Sequence, residues 1–291
     1  MASVYRATDV RTGAHVAIKV PHPEAESDVL FFDRFHREAE IGRELDHPGI
    51  VRVLPKEKQS RVYMVMEWAE GCLLREILTK EGRLTPDRAM RIGLAISESL
   101  EYLHDNGITH RDLKPENVMV DEHDQIKLID FGIAGKSGAR RLTFGKLSHT
   151  MGTVEYISPE QVRGKRGDAR SDVYALGVML YEMVTGRTPF QGTNPFAVMN
   201  ARLISDAEPV RELKPEVSPE FEAIIGKAME RDPGRRYSGA REMSFDLMHP
   251  SQMRITPRVP EQRSKRVLLY SGLAAIPFSI LGLMLYLAGH Q

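Results

Sequence analysis

Two early stretches of the chain alternate apolar and polar residues with a period of two. They cover residues 10–20 and 61–67, and the second reads RVYMVME. Such alternation, rich in β-branched residues, is typical of strands. Between them, residues 33–45 are highly charged and place three apolar side chains at helical spacing: Phe35, Ile41 and Leu45. The pattern predicts a small, strand-rich section that contains one helix.

The pattern becomes helical after residues 69–71, which read AEG. Over residues 85–104 the apolar positions share one face of a helix: Ala89, Ile92, Ile96, Leu100 and Leu103. Thr85-Pro86 is a start signal for that helix. A mainly helical section continues to about Met248, and no repeat is apparent. The fold class indicated is α+β, with a small strand-rich part followed by a larger helical part.

The C-terminal end has a different pattern, because residues 267–288 contain no charge. A helix of that length is about 33 Å long, enough to cross a bilayer core of about 30 Å. We expect one transmembrane helix here, with a buried core helix as the alternative. Basic residues precede it, namely Arg258, Arg263, Lys265 and Arg266, so the positive-inside rule places residues 1–266 in the cytoplasm and the C-terminus outside.

Composition excludes several classes of function. Lys plus Arg and Asp plus Glu number 40 each, so no excess of positive charge suggests a nucleic-acid partner. The single cysteine, Cys72, excludes an internal disulfide framework, and the ten histidines show no paired metal-ligand spacing. Met1 to Gly13 is mixed and polar, without the apolar core of a secretory signal. These features are typical of a protein in a reducing compartment.

The strongest chemical signal is HRDLKPEN at residues 110–117, followed by DFG at residues 130–132. The residues between the two motifs, 118–129, predict a short hairpin. Acid, amide and lysine side chains then lie on loops beside its strands, where they can converge: Asp112, Lys114, Asn117 and Asp130. Hard oxygen ligands together with a lysine suit magnesium and phosphate.

With these motifs the chain resembles a protein kinase of the Ser/Thr class, most like the bacterial Hanks-type enzymes, from Met1 to about Met248. The resemblance implies a bilobal fold with an N-lobe over residues 1–66, a hinge over 67–70 and a C-lobe over 71–250. A juxtamembrane linker (251–266) and the transmembrane helix (267–288) would follow. The implied cofactors are ATP and Mg²⁺, with Mn²⁺ as an alternative metal, and the implied partners are protein substrates.

The resemblance also assigns roles in phosphoryl transfer. Asp112 would accept or orient the proton of the substrate hydroxyl, and Lys114 would steady the charge of the γ-phosphate. Asn117 and Asp130 would hold the magnesium ions. A lysine at this place in the catalytic loop is typical of kinases that act on serine and threonine.

Further matches concern the nucleotide. VAIK at residues 16–19 implies that Lys19 contacts the α- and β-phosphates and pairs with a helical glutamate, Glu38, with Glu40 and Glu44 as alternatives. Met66 would be the gatekeeper, and the hinge that meets adenine would comprise Glu67, Trp68 and Ala69. Three apolar residues would enclose the adenine ring: Val4, Ala17 and Met119.

Residues 130–160 match an activation segment that closes on GTVEYISPE. Ser158 stands where alanine is commoner, while Glu160 keeps its expected partner, Arg236, in a structural ion pair. Thr153 matches the threonine that selects hydroxyl-bearing substrates, and Asp172 would brace the backbone of the catalytic loop.

Phosphorylation of the activation segment is a further expectation. Arg111 directly precedes the catalytic aspartate and would meet a phosphate there. The candidate acceptors are Thr143, Ser148 and Thr150, of which Ser148 and Thr150 are preferred.

The N-terminal residues keep an alternative open. Val4 matches the closing valine of a kinase glycine-rich loop and Ala2 its third glycine, so the first two glycines and one strand would lie before residue 1. A start assigned too late, or a fragment, would explain this. An active kinase is therefore weighed against a pseudokinase or nucleotide-binding scaffold. A small-molecule phosphotransferase is disfavoured by DLKPEN and by the SPE–Arg236 pair. Pairing of two tethered chains as a homodimer is a further hypothesis.

Overall fold

The computed structural model of the protein describes residues 2–23, 29–55, 62–130 and 154–255. The chain divides into one compact unit over Met1–Arg254 and a second over Ile255–Gln291. Among the described residues, no helix is long and apolar enough to cross a membrane. The predicted transmembrane segment, residues 267–288, lies outside them.

The N-terminal part is built on a three-stranded antiparallel sheet. Its strands are β1 (Ala2–Thr8), β2 (His15–Pro21) and β3 (Met64–Glu67), in the order β1-β2-β3. In the described part of the chain, β1 pairs with β2 alone, so it forms an edge of this sheet. The register sets Val4 opposite Lys19 and Ala17 opposite Met66. Strand β2, which carries Lys19, is therefore the central strand of this sheet.

One helix, α1 (Val29–Glu44), accompanies this sheet. The apolar residues predicted from helical spacing, Phe35 and Ile41, are buried in the core, as is Leu45 directly after the helix. Residue 38 follows residue 35 by three positions, so both lie on the same side of the helix. The helix begins earlier than predicted and turns Glu38 towards β2.

A helical part follows, and the described helices are α2 (Leu74–Glu81), α3 (Pro86–Asp105), α4 (Pro159–Val162), α5 (Ala169–Thr185), α6 (Pro195–Ile204), α7 (Val210–Leu213), α8 (Pro219–Ala228) and α9 (Ala240–Met248). Thr85 caps α3 by accepting a hydrogen bond from the Arg88 N–H. The five apolar residues predicted to share a face of this helix are all fully buried. Helix α5 is buried over most of its surface and forms the centre of the helical part.

A second small sheet carries the predicted hairpin. Its strands are β4 (Cys72–Leu73), β5 (Val118–Val120) and β6 (Ile126–Leu128). A short 3₁₀ helix, Pro115–Asn117, leads directly into β5, and two others lie at Pro233–Arg235 and Pro250–Gln252. Gly71, just before β4, has φ +107°, and a Cβ there would lie 2.1 Å from the Val120 carbonyl oxygen. Glycine at that point lets the chain approach β5, the strand that follows the predicted catalytic loop, residues 110–117.

Candidate active site

Lys19 lies between two carboxylates that come from distant parts of the sequence. Its Nζ is 2.8 Å from Glu38 Oε1 and 2.7 Å from Asp130 Oδ1. Of the three candidate glutamates, the structure pairs Lys19 with Glu38, while Glu40 and Glu44 are exposed on α1. Lys19 thus joins strand β2 to helix α1 and to the segment that directly follows β6.

The charges at this point influence one another. Burial raises the pKa of Glu38 to about 8, and the nearby Asp130 adds to that effect. Burial opposes the charge of Asp130, but Lys19 and a hydrogen bond from Glu38 together outweigh it and keep the pKa of Asp130 below its usual value. Burial likewise disfavours the charge of Lys19, and the two carboxylates more than offset it, so the pKa of Lys19 is raised. Lys19 and Asp130 are therefore both held in their charged forms at neutral pH.

The catalytic loop is held by a buried carboxylate on α5. Asp172, 1% exposed, accepts hydrogen bonds from the backbone N–H groups of His110 at 2.8 Å and Arg111 at 2.7 Å. Arg111 has φ +64°, a conformation that non-glycine residues rarely adopt. His104 Nε2 also lies 2.9 Å from the same carboxylate. These bonds hold the strained turn that presents the next residue, Asp112.

Asp112 lies beside a lysine and an asparagine. Lys114 Nζ donates to Asp112 Oδ2 at 2.8 Å, and the Asp112 side chain is one-third exposed. Asn117 is 6% exposed, and its Nδ2 donates to the Asp112 carbonyl at 2.7 Å. Because the amide nitrogen is engaged in this way, the amide oxygen is the atom left to act as a ligand. Lysine, aspartate and asparagine thus form one compact group.

The two predicted metal ligands come close through the backbone. The Ile129 N–H donates to the Asn117 carbonyl at 3.1 Å, so the residue before Asp130 is tied to Asn117. Their amide and carboxylate oxygens are hard ligands of the kind that magnesium prefers. Among the described residues, no group of three or more His, Cys, Asp or Glu side chains offers a metal site by itself. The donor set fits a metal that is also held by phosphate oxygens.

The residues predicted to meet adenine lie on three elements. Ala17 and Met66 are buried neighbours on β2 and β3, whereas Val4 on β1 is 58% exposed and Met119 on β5 is partly buried. Of these four residues, the strand register brings Ala17 and Met66 side by side.

The predicted hinge is anchored by the side chain and N–H of its first residue. Glu67 Oε1 accepts hydrogen bonds from the Arg52 N–H at 2.9 Å and from Lys127 Nζ at 2.7 Å. The Glu67 N–H donates to the Arg52 carbonyl at 2.9 Å. Next to it, the Trp68 ring lies 5.0 Å from the Arg6 guanidinium, and Ala69 is half-buried.

The end of the activation segment is anchored by the predicted ion pair. Arg236 Nη2 and Nη1 donate to the two oxygens of Glu160 at 2.7 and 2.8 Å, and Ser171 donates to the same carboxylate at 2.6 Å. Burial opposes the charge of Glu160, but Arg236 outweighs it and holds its pKa below the usual value. The fully buried Ser158 donates to Gln161 Oε1 at 2.9 Å, so the serine in place of alanine gains a hydrogen bond.

Gln161 Nε2 also donates to the Arg111 carbonyl at 3.2 Å, which joins this segment to the catalytic loop. Four predicted residues of the segment lie outside the described part of the chain: Thr143, Ser148, Thr150 and Thr153. Arg111, the expected phosphate partner, directs its Nε to the Gly167 carbonyl at 3.3 Å.

Sequence reasoning missed one cluster next to this site. Arg75 on α2 bridges Glu116, in the 3₁₀ helix of the catalytic loop, and Glu182 on α5, and it also contacts Tyr156. The partners are 41, 107 and 81 residues from Arg75 in sequence, so no local motif marks them. The sequence offers one signal of this cluster: Glu116 is a charged residue of the HRDLKPEN motif to which the resemblance assigns no partner.

Comparison with known families and proteins agrees with this geometry. Residues 1–248 match the family model described as protein kinase domain. The chain is 41% identical over 252 residues to a probable serine/threonine-protein kinase of Streptomyces coelicolor. The match covers 85% of this chain and 37% of that relative.

Two further relatives are named serine/threonine-protein kinase PknB. The one from Mycolicibacterium smegmatis is 38% identical over 266 residues, covering 89% of this chain and 43% of the relative. The one from Mycobacterium tuberculosis is 37% identical over 278 residues, covering 93% and 44%. The chain therefore spans about two fifths of the length of the relatives that it matches.

Proposed function

The chain belongs to the protein kinase family, and from that premise we propose that it transfers the γ-phosphoryl group of ATP to serine and threonine hydroxyls of proteins. The observation that carries the proposal is the joint placement of Lys19, bonded to Glu38 and Asp130, and of Asp112, bonded to Lys114. The names of its relatives, which are serine/threonine-protein kinases, support the same hydroxyl class.

The chain's own residues divide the work of this reaction. Lys19 binds the α- and β-phosphates, and Asp112 orients the attacking hydroxyl and takes up its proton. Lys114, already paired with Asp112, balances negative charge that develops on the transferred group. Asn117 and Asp130 would hold magnesium, which neutralises the charge of the phosphates when bound.

The test compares phosphate transfer in three forms of the full chain, purified in detergent. Wild type, Asp112→Asn and the matched surface change Asp105→Asn are incubated with labelled ATP, magnesium and a generic basic protein. We expect transfer by wild type and Asp105→Asn, and a rate about 10³-fold lower in Asp112→Asn. Wild type that binds ATP but transfers no phosphate with magnesium or manganese would instead identify a nucleotide-binding scaffold.

We also propose that the chain phosphorylates its own activation segment at Ser148, Thr150 or Thr143, and that Thr153 contributes to the choice of substrate hydroxyl. Phosphorylation of this segment is supported by Arg111, which directly precedes Asp112 and carries the positive charge that a phosphate would meet. Its Nε donates a hydrogen bond to the Gly167 carbonyl. Mass spectrometry after incubation with ATP should find phosphate on this segment in wild type and none in Asp112→Asn. Phosphate found only elsewhere would contradict the proposal.

For its location we propose the cell membrane, with a single spanning helix over residues 267–288, the kinase part in the cytoplasm and the C-terminus outside. The uncharged sequence and the basic residues before it support this. We expect the full chain to sediment with membranes and to need detergent for release. Recovery in the aqueous fraction without detergent would rule out the anchor.

Pairing of two such chains within the membrane is proposed as the route to activation, because tethering raises their effective concentration. Autophosphorylation in vesicles should then rise with the surface density of the protein. A rate per molecule that does not change with density would contradict pairing.

A further inference from the structure

A half-buried arginine, Arg75, joins the catalytic loop to the end of the activation segment, at a place where the kinase motifs assign no residue. Arg75 Nε donates to Glu116 Oε1 at 2.8 Å, and its Nη1 donates to Glu182 Oε1 at 2.7 Å. Its Nη2 donates to Tyr156 Oη, and Tyr156 in turn donates to Glu182 Oε2. All three nitrogens of the guanidinium are therefore engaged.

The backbone fixes the position from which Arg75 reaches these groups. Strand β4 pairs with β5, with Leu73 opposite Met119, so the start of α2 is tied to the strand that follows the catalytic loop. Leu74 and Leu78 are buried and hold α2 against the core. The backbone of Arg75 is thus fixed with respect to the catalytic loop independently of the contacts that its side chain makes.

Of the three partners of Arg75 named above, Tyr156 is the one in the activation segment. It is 4% exposed, and it lines a small cavity together with Asp112 and Leu113 of the catalytic loop. It precedes Ser158 by two residues and follows the proposed hydroxyl-selecting Thr153 by three. A shift of Tyr156 would therefore move residues 154–158, the segment against which a protein substrate would be aligned with Asp112.

The chemistry of the cluster requires arginine. Burial, followed by the charge of Glu182, raises the pKa of the Tyr156 hydroxyl far above its usual value, so this residue serves as a neutral donor and acceptor. One planar guanidinium presents five N–H donors in a fixed fork, whereas a lysine has a single nitrogen. A lysine at residue 75 would keep the charge but could not span the same three partners.

We propose that Arg75 is a positioning residue: it aligns residues 154–158 with the catalytic loop and so determines the turnover of protein substrates, without contacting ATP. This inference rests on the proposed kinase function. It predicts a separation of two readouts, because Lys19, Asn117 and Asp130 do not depend on Arg75 for their contacts. Protein phosphorylation should fall, while the KM for ATP should stay unchanged.

The experiment uses the full chain and the variants Arg75→Met, Arg75→Lys and Tyr156→Phe. The matched control is Arg88→Met, because Arg88 also bridges two carboxylates, Glu81 at 2.9 Å and Asp124 at 2.8 Å, away from the catalytic loop. Melting temperature, KM for ATP, ATP hydrolysis without protein substrate, and kcat/KM for a protein substrate are measured for each.

We expect Arg75→Met to lower kcat/KM for the protein substrate by about tenfold to 100-fold. Its KM for ATP and its substrate-free hydrolysis should stay within about twofold of wild type, as should every rate of Arg88→Met. Arg75→Lys and Tyr156→Phe should show smaller losses of the same kind. Combining Arg75→Met with Tyr156→Phe should add little to the loss of the first alone.

The outcomes separate this inference from the proposed function. If wild type transfers no phosphate, the kinase function fails and Arg75 has no reaction to position. If wild type is active and Arg75→Met matches it, or if Arg75→Met raises the KM for ATP as much as it lowers protein turnover, the positioning role is overturned. Should Arg75→Met not fold, Arg75→Lys decides: protein turnover equal to wild type would overturn the role.

Discussion

The carboxylate of Asp172 accepts the backbone N–H of Arg111 at 2.7 Å, and Arg111 at that point has φ +64°. The second oxygen of Asp172 accepts the N–H of His110. A residue on α5, far away in sequence, thus holds the strained turn that directly precedes Asp112. Both acceptor atoms are needed for this, since each binds a different N–H group.

Asp172→Asn should weaken this turn. The side-chain amide would place an NH₂ group against one of the two backbone N–H groups and leave that donor buried and unpaired. We expect the free energy of unfolding to fall by about 2 kcal/mol and kcat to fall by about tenfold or more. Urea unfolding and steady-state kinetics measure the two, with Asp105→Asn as the control. A stable variant with normal kcat would show that the turn does not need this carboxylate.

Glu38→Ala should weaken the binding of nucleotide. Lys19 would keep only Asp130 as a partner, so its Nζ would be drawn towards the group proposed to bind magnesium. We expect the KM for ATP to rise by about tenfold, in line with the loss of one charge-assisted hydrogen bond at the lysine. Glu40→Ala, on the exposed side of the same helix, is the control and should match wild type. Equal values for the two variants would contradict the role of Glu38.

The pair of Glu160 and Arg236 predicts an acid-dependent stability. Because the pKa of Glu160 is lowered on folding, its contribution is fully present above its unfolded value of about 4.5 and is lost as the pH falls through the folded value. Glu160→Gln should lower the free energy of unfolding by about 3 kcal/mol at neutral pH, since it leaves the buried charge of Arg236 without its carboxylate partner.

The difference between wild type and Glu160→Gln should therefore be constant from about pH 5 to pH 7 and should shrink below about pH 4.5. Denaturant titrations at each pH measure it. Glu101→Gln, which removes an exposed pair with Arg241 at 2.6 Å, should change stability little at any pH, because water screens exposed charges. A difference that grows in acid would contradict the assignment.

Gly71→Ala tests the close approach before β4. A methyl group there would overlap the Val120 carbonyl and would also be strained by φ +107°. Gly82→Ala is a matched control, since Gly82 has φ +75° and open space around it. We expect Gly82→Ala to cost about 1 kcal/mol for its backbone conformation alone. Gly71→Ala should cost several times as much. Thermal unfolding compares the two variants. Equal losses of stability would show that the backbone at Val120 moves to accommodate the added methyl group.

Much of this molecule could be predicted from local patterns. The face of helix α3 followed from helical spacing, and its five predicted residues are all buried. HRDLKPEN and DFG were sufficient to predict the protein kinase family, which the match over residues 1–248 confirms. Local motifs succeed here because a catalytic loop holds its reacting groups within a few residues, so that Asp112, Lys114 and Asn117 come together through short-range backbone geometry.

The sequence alone therefore determined the family, the main elements and the identity of the charged groups, since each depends on neighbours in the chain. A distant pair could be predicted only where the family motifs mark both partners, as for Glu160 and Arg236, and the tertiary structure decided the others. It paired Lys19 with Glu38, the preferred of the three candidate glutamates, and it brought Arg75 to Tyr156 and Glu182. Such pairs depend on how helices rotate and pack against one another. The total burial and charge of the folded chain set that packing, and no short stretch of sequence contains it.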